Sequence, residues 1–224
     1  MLQAEMELER NLGVIPMIKN IILDVGGVLL EYRWKDMLMD YGLSETEALK
    51  VGGLMLDDPL WTEMDLADSK GEQEIIQLYV KKYPEYAETI SWFINHSEYM
   101  HVPREDVWER VHQLKQLGYK LYILSNYPET MFEKHARPAS FMADMDGEVV
   151  SYQVSKVKPD PQIYHCLLKK YGLQPEECLF FDDRPENTAA AETVGIVAIT
   201  VVSREFLLAK LDEIIKVGKI EWDV

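Results

Sequence analysis

Short apolar runs that end in polar or acidic residues alternate with amphipathic stretches along most of this chain. Ile18 to Leu23 is nearly all aliphatic and closes on Asp24. Lys120 to Leu124 closes on Ser125 and Asn126, and Cys178 to Phe181 closes on Asp182 and Asp183. Apolar runs without polar alternation are the pattern of strands covered on both faces, as in a parallel sheet. Glu148 to Val154 and Ile196 to Val202 read as two further strands.

Between the runs lie helical signals. Val107 to Leu117 is amphipathic and stops at Gly118, a C-cap residue; Asp160 to Tyr171 is entered through Pro159 and Pro161 and stops at Gly172. Residues 187 to 194 predict a helix of small side chains, and Ser203 to Val217 a last helix. Strands separated by helices of this length predict an α/β fold with a doubly wound parallel sheet.

Two segments fall outside that alternation. Residues 33 to 102 carry helical periodicity, several Met and Trp residues and no convincing strand, and predict an α-helical insertion. Trp34, Trp61 and Trp92, with Met37, Met39 and Met55, read as its packing. Residues 1 to 17 form an N-terminal appendage, a Glu-rich amphipathic stretch followed by the breaker run Gly13-Val14-Ile15-Pro16. The expected division is then 18–32 with 103–224 as the core domain and 33–102 as the insertion.

Composition narrows the function. At 224 residues, 47% hydrophobic and 28% charged, the chain has the make-up of one globular domain carrying an insertion. No apolar run approaches the ~20 residues of a membrane span. The N-terminus places Glu5, Glu7 and Glu9 where a secretory signal has Lys or Arg, and two cysteines, Cys166 and Cys178, suit a reducing compartment; the expected location is cytoplasmic. Thirty-nine acidic against 23 basic side chains give a net charge of −16. Such a surface repels phosphate backbones and anionic lipid, so neither nucleic acid nor membrane is an expected partner. An anionic small molecule can still bind where a cation or metal reverses the local field.

In open α/β sheets, ligands bind beyond the carboxyl ends of the strands. Asp24, Ser125, Asn126, Asp182 and Asp183 all stand at such ends, and Lys158 lies in the turn before a helix. Three carboxylates within about 5 Å raise one another's pKa values and do not all stay ionised unaided. Mg²⁺ suits a few carboxylates, waters and a substrate phosphate. A carboxylate exposed at a strand end is also a nucleophile able to form an aspartyl-phosphate, with Ser125 and Lys158 holding the phosphoryl oxygens. Gly26 and Gly27 let the backbone approach a ligand closely.

Four motifs in order carry a resemblance: Leu23-Asp24-Val25-Gly26-Gly27-Val28, Ile123-Leu124-Ser125-Asn126, Lys158-Pro159-Asp160-Pro161 and Phe180-Phe181-Asp182-Asp183-Arg184-Pro185-Glu186-Asn187. Together they resemble the haloacid dehalogenase-like hydrolase superfamily, in the branch that includes sugar-phosphate phosphatases and the N-terminal phosphatase domain of soluble epoxide hydrolases. The resemblance implies a Rossmann-like core with the helical insertion as a cap, and Mg²⁺-dependent hydrolysis of a small phosphorylated metabolite. It implies Asp24 as nucleophile and metal ligand, the Gly26 carbonyl as a further ligand, and Gly27, Ser125, Asn126 and Lys158 around the phosphate. Asp183 is then the direct metal ligand, Asp182 its neighbour and Asn187 the partner behind it.

One position departs from the family pattern. A second Asp, two residues after the nucleophile, usually protonates the leaving alcohol and activates water; here that position is Gly26. General acid–base help is worth typically 10²–10⁴-fold. His96 and His101, near the end of the insertion, are candidates to replace it. Two other readings stay open: a non-catalytic phosphate- or partner-binding module on the same fold, and a metal-independent 2-haloacid dehalogenase. Against the dehalogenase stands the repulsion between a carboxylate substrate and the Asp182-Asp183 pair.

Overall fold

In the computed structural model, which describes residues 17–66 and 71–217, the first apolar run is strand β1 (Asn20–Leu23), buried at every position. The order continues with β2 (Leu30–Tyr32), helices α1 (Trp34–Asp40), α2 (Glu45–Leu56), α3 (Pro59–Met64), α4 (Glu72–Lys82) and α5 (Ala87–Asn95), then β3 (His101–Pro103), α6 (Glu105–Gln116), β4 (Lys120–Ser125), α7 (Glu129–His135) and β5 (Gly147–Val150). It ends with α8 (Ser151–Val154), α9 (Pro161–Tyr171), β6 (Cys178–Asp182), α10 (Pro185–Thr193), β7 (Val197–Thr200) and α11 (Arg204–Val217). Residues 1–16, nearly all of the expected appendage, lie outside the described residues.

Among the described residues, five parallel strands form one sheet in the order β5-β4-β1-β6-β7. The chain winds from β1 outward through β4 and β5, then returns to the other side for β6 and β7. The switch point therefore falls beside β1, where an open α/β sheet has its crevice. Register brings the ends level: Leu23 pairs with Ile123 on one side and Phe181 on the other. Asp24, Ser125 and Asp182 consequently meet at one rim.

Alternation along the strands divides the core between the two faces. Ile21, Leu23, Leu121 and Ile123 point one way, into a cluster with Val107, Val111 and Leu114 of α6 and Leu207, Leu211 and Ile214 of α11. Ile22, Leu124 and Phe180 point the other way, against Ile163, Tyr164 and Leu167 of α9 and Ala191 of α10. Each such side chain, fully buried, stabilises the fold by roughly 1.5–3 kcal/mol. Local signals end the elements where they occur in the sequence. Asp160 caps α9 by accepting from the Gln162 N–H, Pro161 takes the first helical position, and Gly172 ends the helix at φ +65°.

Two expectations need correction. Residues 33–102 were to contain no strand, yet β3 begins at His101 and pairs antiparallel with β2, Leu30 opposite Pro103 and Tyr32 opposite His101. Three residues ending in proline are too short to show a period-2 pattern. The run from Glu148 to Val154 is not one strand: it is strand only to Val150, after which Ser151–Val154 turn as a helix with the Gln153 side chain accepting from the Val150 N–H. The α1–α5 helices lie between β2 and β3, so this two-stranded ribbon is where the chain leaves and re-enters the sheet-bearing part.

Trp34 packs against Gly52, where an added Cβ would lie 2.2 Å from its ring, and Trp61 and Trp92 face Phe93 and Tyr41 at centroid distances of 6.4 and 4.9 Å. These tryptophans are packing. Among the described residues no helix is long and apolar enough to cross a membrane.

Candidate active site

Asp24 leaves β1 at the centre of the sheet, and its backbone N–H still bonds the Phe181 carbonyl at 3.0 Å. The residue is buried, 7% exposed. Three donors converge on one oxygen, Oδ1: the Val25 N–H at 2.7 Å, the Ser125 hydroxyl at 2.6 Å and Lys158 Nζ at 2.9 Å. No hydrogen bond among the described residues falls on Oδ2. Burial pushes this carboxyl up to about 7, against the pull of Lys158 and with a further push from Asp182.

Lys158 reaches the rim from the turn before α9 and is itself almost fully buried. Nζ donates to the Leu124 carbonyl at 3.0 Å and to Asp182 at 2.6 Å, besides Asp24. Burial alone lowers an ammonium pKa, but the two facing carboxylates outweigh it and hold Lys158 above its ordinary value. Asn126 fixes the backbone of that lysine: Nδ2 donates to the Lys158 carbonyl at 2.9 Å and Oδ1 accepts from its N–H at 2.7 Å. The Asn126 side-chain amide is thus engaged by the Lys158 backbone on both its oxygen and its nitrogen.

The acidic pair divides sharply. Asp182, the last residue of β6, has no exposed surface. It accepts from Lys158, from the Arg184 N–H at 2.8 Å and from the Asn187 amide on both oxygens at 2.9 and 3.1 Å. Spacing alone pairs Asn187 with Asp183; in the structure the amide, in the first turn of α10, folds back over the strand end onto Asp182. Asp183 is turned outward and exposed. Partial burial, then the charge of Asp182, raises its carboxyl above the usual range.

Oxygens of Asp24, Asp182 and Asp183 all lie within 4.8 Å of one another. Three carboxylates against one ammonium leave two formal negative charges; burial first, and the charge of Asp182 after it, hold both Asp24 and Asp183 above the usual carboxylate range. An all-oxygen set with that charge fits a hard divalent cation such as Mg²⁺.

The glycines are explained by neighbours in the protein. Gly27 has φ +67°, and a Cβ there would sit 2.4 Å from Asp183 Oδ2. Its carbonyl accepts from Arg104, as does the Val28 carbonyl at 3.3 Å, and Arg104 also grips Glu31. Gly26 leaves room for the ring of Tyr32. The close approach the two glycines allow is used by Asp183 and Tyr32.

Neither histidine considered as a replacement acid bonds to the carboxylates. His96 Nδ1 is 2.8 Å from the Trp92 carbonyl, and the His101 ring stacks on His135 at 4.7 Å. Sequence reasoning missed three residues of this region. Arg104 and Tyr32 carry no motif, and Asp65 stands 37 residues beyond the end of the first and far from the other three. Asp65 follows α3 at 8% exposure; burial pushes its carboxyl up to about 7, with Arg184 and Lys158 pulling it down and Asp24 pushing it up. Asp65 is therefore near enough to feel the charges of Arg184, Lys158 and Asp24.

Comparison with known proteins fits this geometry. The chain is 23% identical over 201 residues to the putative phosphatase YhcW of Bacillus subtilis, covering 84% of this chain and 85% of that one. A stretch of 105 residues is 31% identical to the bifunctional epoxide hydrolase 2 of Mus musculus, 45% of this chain and 19% of the longer protein. A solved dehalogenase shares the fold, with a TM-score of 0.65 at 19% identity over 82% of this chain and 84% of that one; the fold by itself therefore does not choose between phosphate and halide chemistry. The sequence pattern of the haloacid dehalogenase-like hydrolases matches residues 18–195, and the chain belongs to that family of enzymes.

Proposed function

We propose that this hydrolase is a Mg²⁺-dependent phosphomonoesterase acting on a small phosphorylated metabolite, with sugar phosphates among the candidates, through an aspartyl-phosphate on Asp24. One observation carries the reading: three donors hold Oδ1 of Asp24 while Oδ2 accepts no bond, at a rim shared with two more carboxylates. A carboxylate fixed by one oxygen presents the other for attack. Oδ2 bonds to phosphorus as the ester P–O bond breaks and its electron pair leaves with the alkoxide or phenoxide, which takes a proton from water; water then cleaves the aspartyl-phosphate and restores Asp24. Lys158, already charged and 2.9 Å from Asp24, offsets the phosphoryl charge, and the Ser125 hydroxyl turns from Asp24 to a phosphoryl oxygen. Asp24, Asp183 and the Gly26 carbonyl would hold Mg²⁺, with Asp182 beside them; the ion supplies further neutralisation of the phosphoryl oxygens.

Residues 33–102 serve in this reading as a cap that excludes water and selects the leaving group. The phosphatase name of YhcW supports the chemistry. The acidic surface and two free cysteines suit a cytoplasmic enzyme that binds neither nucleic acid nor membrane.

The test is phosphate release from p-nitrophenyl phosphate with Mg²⁺, its loss on adding EDTA, and its abolition by Asp24→Asn with an unchanged circular-dichroism spectrum. Full activity of Asp24→Asn overturns the assignment of the nucleophile. The absence of a carboxylate at position 26 favours a second reading, a phosphate-binding module without turnover. That reading gains if neither p-nitrophenyl phosphate nor a panel of sugar phosphates gives a metal-dependent signal while phosphate still binds. Metal-independent halide release from a 2-haloacid would instead mark a dehalogenase.

A further inference from the structure

The space that a side chain at position 26 would enter is already occupied. A Cβ added to Gly26 would lie 2.7 Å from Cε2, 2.9 Å from the hydroxyl oxygen and 3.1 Å from Cζ of Tyr32. Tyr32 is the last residue of β2, held opposite His101 by the β2–β3 pairing. Its phenol therefore stands where members of the family usually place their acid–base carboxylate.

The hydrogen-bond direction at that phenol follows from its neighbours. The Tyr32 ring lies beside that of Tyr127, their centroids 6.3 Å apart. The Tyr127 hydroxyl is 2.9 Å from His135 Nδ1, and His135 Nε2 is 2.7 Å from the Ser97 carbonyl. A carbonyl only accepts, so Nε2 carries the hydrogen. Burial, with the neighbouring His101 adding to it, lowers the His135 ring to about 4, so near neutrality Nδ1 is bare and accepts. Tyr127 must then donate to His135, so toward its neighbour Tyr32 its oxygen can only accept. An inward Tyr32 proton has that acceptor beside it and leaves the lone pairs of the Tyr32 oxygen for the crevice.

We propose that Tyr32 stands in for the missing carboxylate at position 26 as a positioning residue, a hydrogen-bond acceptor that orients the water attacking the aspartyl-phosphate. The assignment rests on the phosphatase reading above. Water oxygen bonds to phosphorus, the bond from phosphorus to the Asp24 oxygen breaks, and Asp24 leaves as a carboxylate with the electron pair. Both water hydrogens go to the phosphate product, so an aspartyl-phosphate dianion and water yield a carboxylate and dihydrogen phosphate. Tyr32 keeps its own proton throughout. It offers no acid to the departing alcohol, so the help is confined to the second step.

The experiment is rapid-quench and stopped-flow kinetics of the Mg²⁺-loaded full chain with p-nitrophenyl phosphate, comparing the parent with Tyr32→Phe and Tyr127→Phe. Tyr32→Phe keeps the ring over Gly26 and removes the oxygen. Its burst of p-nitrophenol should keep the parental rate while the steady state falls about 10- to 100-fold, with acid-stable phosphate accumulating on the protein. Tyr127→Phe frees the Tyr32 proton and should also slow the steady state, by less, with the burst intact. An unchanged steady state in Tyr32→Phe overturns the proposal, and so does an equal fall of burst and steady state, which marks a structural role. If the parent itself releases no phosphate, the phosphatase reading fails first, so the two failures are distinct.

Discussion

Asn187 sets its side-chain amide against both carboxylate oxygens of Asp182, at 2.9 and 3.1 Å, and against neither oxygen of Asp183. With Lys158 and the Arg184 N–H, this gives the buried Asp182 a full set of donors and leaves the exposed Asp183 open to an ion. The neighbours have different tasks. Asp182 is fully engaged with Lys158, Arg184 and Asn187, whereas Asp183 is the one the proposed Mg²⁺ site uses.

That division separates two substitutions. Asn187→Ala strips donors from a buried carboxylate and should cost about 1–3 kcal/mol, read as a lower urea midpoint in EDTA. Asp183→Asn alters an exposed side chain and should move that midpoint by less than about 0.5 kcal/mol. The same variant should raise the Mg²⁺ concentration for half-maximal turnover by at least ~10-fold. Equal effects of the two on stability would contradict the assignment.

Lys158 is the ammonium between Asp24 and Asp182, and among the described residues no other side-chain cation pairs with either. Lys158→Met leaves two facing carboxylates buried without a counter-charge. Losing one partner of a buried ion pair costs roughly 3–5 kcal/mol. The loss should appear in urea melts at pH 8, and part of it should return in the double variant Lys158→Met with Asp24→Asn, which removes the repulsion as well.

The sheet and the rim were legible because each strand announces itself twice, by an apolar run and by the polar residue that ends it. Asp24, Ser125 and Asp182 sit at strand ends in the sequence and at one rim in space, since a parallel sheet puts all such ends on one side. Lys158 was legible from its place before Asp160 and Pro161 at a helix start. What escaped lies in contacts without a period. Tyr32 and His101 belong to a three-residue ribbon, and Asp65 follows a six-residue helix. Nothing local marks Tyr32 or Asp65 as near the rim of the sheet. The partner of Asn187 was misplaced for a related reason: counting residues ignores that Asp182 turns inward and Asp183 outward at a strand end.

Asp65 gives the stability a readable pH dependence. Its carboxyl is raised from an ordinary 3.8 to about 7. A raised folded-state pKa means that stabilisation of the protonated form is fully present below about 3.8 and lost as the pH rises through about 7. Above pH 7 the ionised group therefore costs the fold, by roughly 4 kcal/mol at most at 1.36 kcal/mol per pKa unit. Asp65→Asn removes the charge and keeps the shape. In EDTA it should melt higher than the parent at pH 8, by ~2–4 °C for each kcal/mol recovered, and with little difference near pH 4. A variant that melts lower at pH 8 would mean that the ionised carboxylate is well paired.

Restoring the family's usual carboxylate at position 26 should fail on its own. A Cβ there meets the Tyr32 ring at 2.7 Å, and that ring packs beside Tyr127, whose hydroxyl is held by His135, so it cannot swing aside without disturbing that pair. Gly26→Asp should therefore lower both the melting temperature and kcat, although it adds the acid that most relatives are expected to use. Tyr32→Ala in the same chain clears the space. The double variant should melt higher than Gly26→Asp alone and turn over faster than either single variant, a coupling between touching residues of about 0.5–3 kcal/mol in a double-mutant cycle. The leaving group reports on the same change. Alkyl phosphates, whose alcohols depart poorly unprotonated, should gain more from the double variant than p-nitrophenyl phosphate, because the new carboxyl supplies the proton that Tyr32 withholds. Additive effects of the two substitutions would mean that position 26 and Tyr32 do not compete for one space.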